Sequence, residues 1–125
     1  MRVLANSALF VDVVQEILAR QFAVRFRAAG HSMRPAILDG DLVVIEPLSG
    51  AAPGPGSVVL ARAGGRLLLH RVVDVRKVRG RTRVVLQGDA SASPDPLLES
   101  SQILALLTRV ARRGRLGALL RRLAA

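Results

Sequence analysis

At 125 residues the chain is long enough for one domain with a real core, and half of its residues are apolar, which excludes a disordered tail. It has no cysteine, tryptophan or tyrosine, so a disulfide scaffold and a cysteine-based metal site are excluded. The formal net charge is +10, nearly all from arginine, concentrated in residues 71–83 and 109–122. Such patches can meet phosphates, anionic lipid or an acidic peptide, or simply be solvated. With three phenylalanines as its only aromatic residues, the chain offers little for bases to stack on, and the composition argues against nucleic acid.

No stretch reads as a transmembrane helix, which needs about 20 mostly apolar residues. The longest uncharged run, residues 47–61, is broken by Pro and Gly. The N-terminal MRVLANSALFVDVVQE meets Asp12 too early for a signal-peptide core. The expectation is a cytoplasmic or peripheral membrane protein with neither a signal peptide nor a transmembrane helix.

Asn6 or Ser7 can cap a helix over about residues 7–21, with Phe10, Val13, Val14, Ile17 and Gln21 at helical spacing and Asp12, Glu16 and Arg20 elsewhere. The period then changes to two. AVRFRA alternates Val24 and Phe26 with Arg25 and Arg27, a half-buried strand. GHSMRPAILDGD, residues 30–41, reads as a turn and a short helical piece; LVVIEP, residues 42–47, as a short buried strand; residues 49–56 as a Gly/Pro loop. Residues 57–62 and 66–78 read as strands joined by a hairpin turn at Ala63–Arg66, and Arg79–Gly80 turns the second into a strand over 81–88. DASASPDP is a loop; residues 101–110 suit strand or helix, with the surrounding pattern favouring strand; LGALLRRLAA reads as a short basic amphipathic helix. The organisation expected is an N-terminal amphipathic helix over 1–22, a β domain over 23–110 and a basic tail over 111–125. The fold class is mainly β, a coiled antiparallel barrel or ribbon with a short helix at each end.

Few residues could do acid–base chemistry. The chain has two histidines, at 31 and 70, and one lysine, at 77. Lys77 lies among arginines beside a turn and reads as a solvated charge. His70 sits in the middle of a strand, after three leucines, where a side chain has a fixed direction. Its bland reading is a satisfied histidine on a sheet face. His31 adjoins Ser32, and neighbouring side chains rarely aim at one point, so it reads as a flank of a cleft. Ser32 follows Gly30 and precedes Met33 and Pro35, which would anchor the segment; a serine in such a turn is more often structural than catalytic. A hydroxyl becomes a useful nucleophile only beside a base. Asp89 and Asp95, in QGDASASPD, could orient a histidine or simply make turns.

Three blocks in order give a resemblance. GHSMRPAILDGDLVVI is similar to the Ser-Met-x-Pro…Gly-Asp block of signal peptidase I and the LexA-like peptidases. GSVVLARAGGRLLLHRVV resembles their hydrophobic strand followed by the catalytic base, and QGDASASPD their Gly-Asp…Asp segment. Where the bacterial enzymes hold lysine, this chain has His70, which resembles the archaeal and endoplasmic-reticulum type of signal peptidase. The resemblance covers about residues 24–110. It implies a serine endopeptidase of β-rich fold that cuts an extended peptide after small residues, with Ser32 as nucleophile, His70 as general base, Asp95 as first choice to orient His70 and Asp89 in support. Gly30, His31, Met33 and Pro35 would line the substrate site. Many relatives carry a hydroxyl two residues before the nucleophile, where this chain has Gly30, and Ser57 stands where Gly-Asp is usual.

The resemblance implies no metal or cofactor. The partner expected is a peptide or precursor protein, with a peripheral contact to anionic membrane through the arginine-rich tail as a further expectation. The alternative is a weak or inactive relative that binds a peptide or partner without cutting it.

Overall fold

The computed structural model describes residues 2–3, 7–50, 52–112 and 121–122. Nine strands and one α-helix are found among them. The strands are β1 (Arg2–Val3), β2 (Val24–Ala29), β3 (Leu42–Pro47), β4 (Val58–Ala63), β5 (Arg66–Val78), β6 (Arg81–Gln87), β7 (Leu98–Glu99), β8 (Ile103–Ala111) and β9 (Arg121–Arg122). The helix α1 spans Ala8–Ala19, and a short 3-10 turn, Ser100–Gln102, precedes β8.

All pairings are antiparallel, in the order β1-β2-β3-β8-β4-β5-β6-β7, with β9 on β8. β1 also pairs with β5, so β1, β2, β3, β8, β4 and β5 form a closed ring of pairings. Beyond that ring β5 runs on into a ribbon with β6 and β7. The bend between ring and ribbon is a bulge between Val72 and Asp74, the kind of extra residue that twists a strand and re-aims its side chains.

The alternation seen in the sequence becomes an inside and an outside. In β2, Phe26 and Ala28 face the core while Arg25 and Arg27 face water. Leu60, Leu67, Leu69, Ile45 and Leu107 are fully enclosed in one cluster with Met33 and Ile37. Burying each such side chain contributes about 1.5–3 kcal/mol. The two hairpin turns need left-handed backbone, supplied at Gly64 (φ 58°) and Gly65 (φ 78°), and at Arg79 (φ 51°) and Gly80 (φ 78°).

Several expectations need correction. The helix is shorter than 7–21. Its cap is Ser7, whose Oγ accepts from the Phe10 N–H at 3.2 Å. The buried stripe is Val11, Val14 and Leu18, with Phe10 edge-on to Phe26, while Val13 is 46% exposed. Residues 30–41 form successive turns, not a helical piece: Ile37 N–H donates to Met33 O, but Pro35 has no N–H to extend the pattern. Of the expected C-terminal helix, Arg121–Arg122 instead pair with Val110 and Arg109 of β8; residues 113–120 and 123–125 lie outside the described residues. No helix among the described residues is long and apolar enough to cross a membrane.

Candidate active site

The ring brings two distant segments together where β2 and β5 lie on either side of β1. Ser32 lies just past the end of β2, and His70 lies within β5, opposite Val59 of β4. Ser32 Oγ is 2.9 Å from His70 Nε2. On the other side of the ring, His70 Nδ1 is 2.5 Å from Asp95 Oδ2. With the proton on Nδ1, the imidazole donates to Asp95, and the Nε2 lone pair accepts from the Ser32 hydroxyl. The three side chains therefore form one hydrogen-bonded row, with the imidazole almost fully enclosed and the carboxylate partly open to water.

Each member is fixed by its own segment. The turn carrying Ser32 is pinned from below by Met33 and Ile37, both fully buried. From the side, the Gly30 N–H donates to Asp39 Oδ1 at 2.9 Å and the Leu38 N–H to Asp41 Oδ2 at 2.8 Å. Asp41 is itself fully buried and accepts from Arg112 Nη1 at 2.9 Å, tying this turn to the end of β8. The loop carrying Asp95 is held to β6 by the Asp95 N–H donating to Leu86 O at 2.8 Å, and to the serine turn by the Ala90 N–H donating to Ser32 O at 2.8 Å.

Asp89 goes elsewhere. Its two oxygens accept from Arg71 Nε and Nη2 at 2.8 and 2.9 Å, a bidentate pair, and Arg71 Nη1 reaches Gly56 O at 2.7 Å. Donating this hydrogen bond to Asp89 raises the Arg71 pKa above its ordinary value. The Asp89 N–H donates to Met33 Sδ at 3.4 Å. Asp89 thus fastens its loop across β5 and onto the serine turn, while Asp95 alone of the two touches the imidazole.

Burial pushes His70 below its ordinary 6.5, since a buried imidazolium loses hydration. The hydrogen bond to Asp95 and the charges of Asp95 and Asp89 pull it back up. Burial wins, so the imidazole is held neutral at physiological pH, the form that can accept a proton.

The other residues singled out in the sequence are placed less uniformly. His31 and Pro35 are exposed beside Ser32. Met33 is fully enclosed, so it offers nothing to a peptide; its place is under the turn, a correction to its expected part in lining the substrate site. Gly30 has φ 100°, a conformation that strains any residue bearing a Cβ. The absent hydroxyl at this position therefore goes with the backbone the turn has adopted. Lys77 is exposed and hydrogen-bonded to Thr82, about 23 Å along β5 from His70 at about 3.3 Å per residue.

Three residues that hold the site were not singled out from the sequence: Arg71, Asp39 and Gly88. A Cβ at Gly88 would fall 2.6 Å from Ser32 O, 2.6 Å from Ser91 Oγ and 3.0 Å from His70 Nε2. Only a residue without a side chain lets the loop close on the serine turn. Its Gly-Asp context was visible in the sequence, but the surfaces it separates were not.

Comparison with curated proteins returns no match. The family comparison does: residues 5–104, which contain all three members of the hydrogen-bonded row, match the Peptidase S24-like family, and with that span covering most of its length the chain belongs to that family.

Proposed function

We propose that the chain is a serine endopeptidase in which Ser32 attacks the peptide carbonyl with His70 as general base and Asp95 as the group that orients it. The observation that carries this reading is the unbroken Ser32–His70–Asp95 row, at 2.9 and 2.5 Å, in a chain whose family is peptidase-related. As Oγ bonds to the carbonyl carbon, its proton passes to Nε2, and Asp95 stabilises the imidazolium that forms. When the C–N bond breaks, Nε2 returns the proton to the leaving amine. Water then repeats the cycle on the acyl-serine. The Ser32 backbone N–H is the natural donor to the oxyanion; the Gly30 N–H is already engaged by Asp39.

The substrate in this reading is an extended peptide added as a strand, with small residues before the cut, as in the signal-peptidase relatives the sequence resembles. The ring geometry favours such an approach, because β2 leads into the turn of Ser32 and β5 carries His70. Treatment with a fluorophosphonate should leave one adduct, on Ser32, found by peptide mass spectrometry. A protein that takes no adduct, cuts no peptide, and binds the peptide equally well before and after Ser32→Ala would instead be the non-cutting binding module.

A further inference from the structure

Between β2 and β5 the sheet has a slot one strand wide. β2 pairs on its inner side with β3, and the first half of β5 pairs with β4. On the facing sides of these two strands lies β1, in register with Ala28–Ala29 of β2 and Leu68 of β5. Arg2 is partnered by Ala29 on one side and Leu68 on the other, so a single residue spans the gap. Neighbouring strands lie about 4.8 Å apart, so a gap about twice that wide holds one extended chain and no second.

The slot opens onto the reacting groups. Ala29 is three residues before Ser32, and Leu68 is two before His70. The cavities of about 350 and 290 Å³ are formed by the loop after β3 and by the far end of α1, and neither is lined by Ser32, His70 or Asp95. A peptide that brings a bond to Ser32 as an added strand needs the same backbone edges that β1 now holds.

The direction of β1 decides what it is doing there. It is antiparallel to both neighbours, and from Arg2 to Val3 its partner on β2 changes from Ala29 to Ala28, away from Ser32. Running from Arg2 to Val3, β1 therefore points away from the hydroxyl. Its ladder is two residues long, short enough to be lifted by a longer strand.

We infer that the N-terminal segment carrying β1 is an intramolecular occupant of the peptide slot, which an extended peptide must displace to reach Ser32. The meaning of the slot rests on the peptidase reading; the occupancy can be tested apart from it. The chain has no cysteine, so the full-length double variant Arg2→Cys/Ala29→Cys allows one engineered disulfide to lock or release β1 in the same protein. Two probes are compared: a phosphonate ester carrying an Ala-Val-Ala peptide, which needs the slot, and diisopropyl fluorophosphate, which does not.

Locking should slow labelling of Ser32 by the peptidyl probe at least about tenfold and leave the small probe within about twofold, and reduction should restore both. Failure of the disulfide to form under mild oxidation, or equal peptidyl labelling in both states, overturns the inference. If neither probe labels Ser32 in either state, the nucleophile reading fails. Occupancy is then judged by amide hydrogen exchange at Ala29, whose edge of β2 faces β1, in the unsubstituted chain and in a variant lacking residues 2–6. Faster exchange confined to Ala29 in the shortened chain supports the inference, and unchanged exchange overturns it.

Discussion

The two halves of β5 make an instructive contrast. From Leu67 to Val72 the strand is flanked on the ring, its leucines at 67 and 69 are fully enclosed, and His70 is held between Ser32 and Asp95. From Val73 onward, past the bulge, the same strand is a ribbon with one partner, and Val73, Val75 and Val78 are exposed among Arg76, Lys77 and Arg79. Both halves are β-branched or leucine-rich, and both make ladder hydrogen bonds. What differs is enclosure. A titratable group in the first half has its charge state set by its neighbours. In the second half the side chains of Lys77 and Arg76 are exposed, and so are their pairs with Thr82 and Asp74.

That contrast can be broken most sharply at the reacting groups. Ser32→Ala or His70→Ala should each lower kcat/KM on a peptide substrate by about 10⁴-fold or more, since the members of such a row act as a unit; Lys77→Ala should leave it within twofold. Next comes Asp95→Asn, expected to cost about 10²–10⁴-fold through loss of imidazole orientation, against a much smaller effect for Asp89→Asn, which meets Arg71 and not the ring. Equal losses for the two aspartates would mean that the geometry does not divide their roles.

Smaller effects test the enclosure itself. Leu69→Ala should destabilise the fold by about 2–5 kcal/mol in urea unfolding, the cost of an interior cavity, whereas Val75→Ala, on the exposed ribbon, should change it by no more than about 0.5 kcal/mol. The pH dependence sharpens the same point. A general base works unprotonated, so kcat/KM falls as pH drops through the His70 pKa. Because burial lowers that pKa, the acid limb should have its midpoint below 6.5. Removing the upward pull of Asp95 in Asp95→Asn should move the limb further to acid. A midpoint above 6.5 in the unsubstituted protein would contradict the enclosure of His70.

Much of this was written locally in the chain. β2 to β6 could be read because alternation and the turn residues at Gly64–Gly65 and Arg79–Gly80 are short-range signals. The helix existed in the pattern, but its buried stripe did not: Val11 and Val13 are the same residue type, and only the docking of α1 on Phe26 chooses between them. β1 and β7 are two residues each, too short to show any period. At the site, the types and order of Ser32, His70 and two acids were visible. Their division of labour was not, since Asp89 and Asp95 share the same turn-rich loop and only the fold decides which faces Arg71 and which faces the imidazole. Gly88 and Arg71 act through surfaces that meet only after folding.

The crowding at Gly88 has a practical reach. One added methyl there should hold the attacking oxygen and its base apart while every polar atom of the row stays in the chain. Under the proposed function, such a protein would serve as a catalytically silent trap for the peptide the chain engages, made without deleting the hydroxyl that an alanine at position 32 removes.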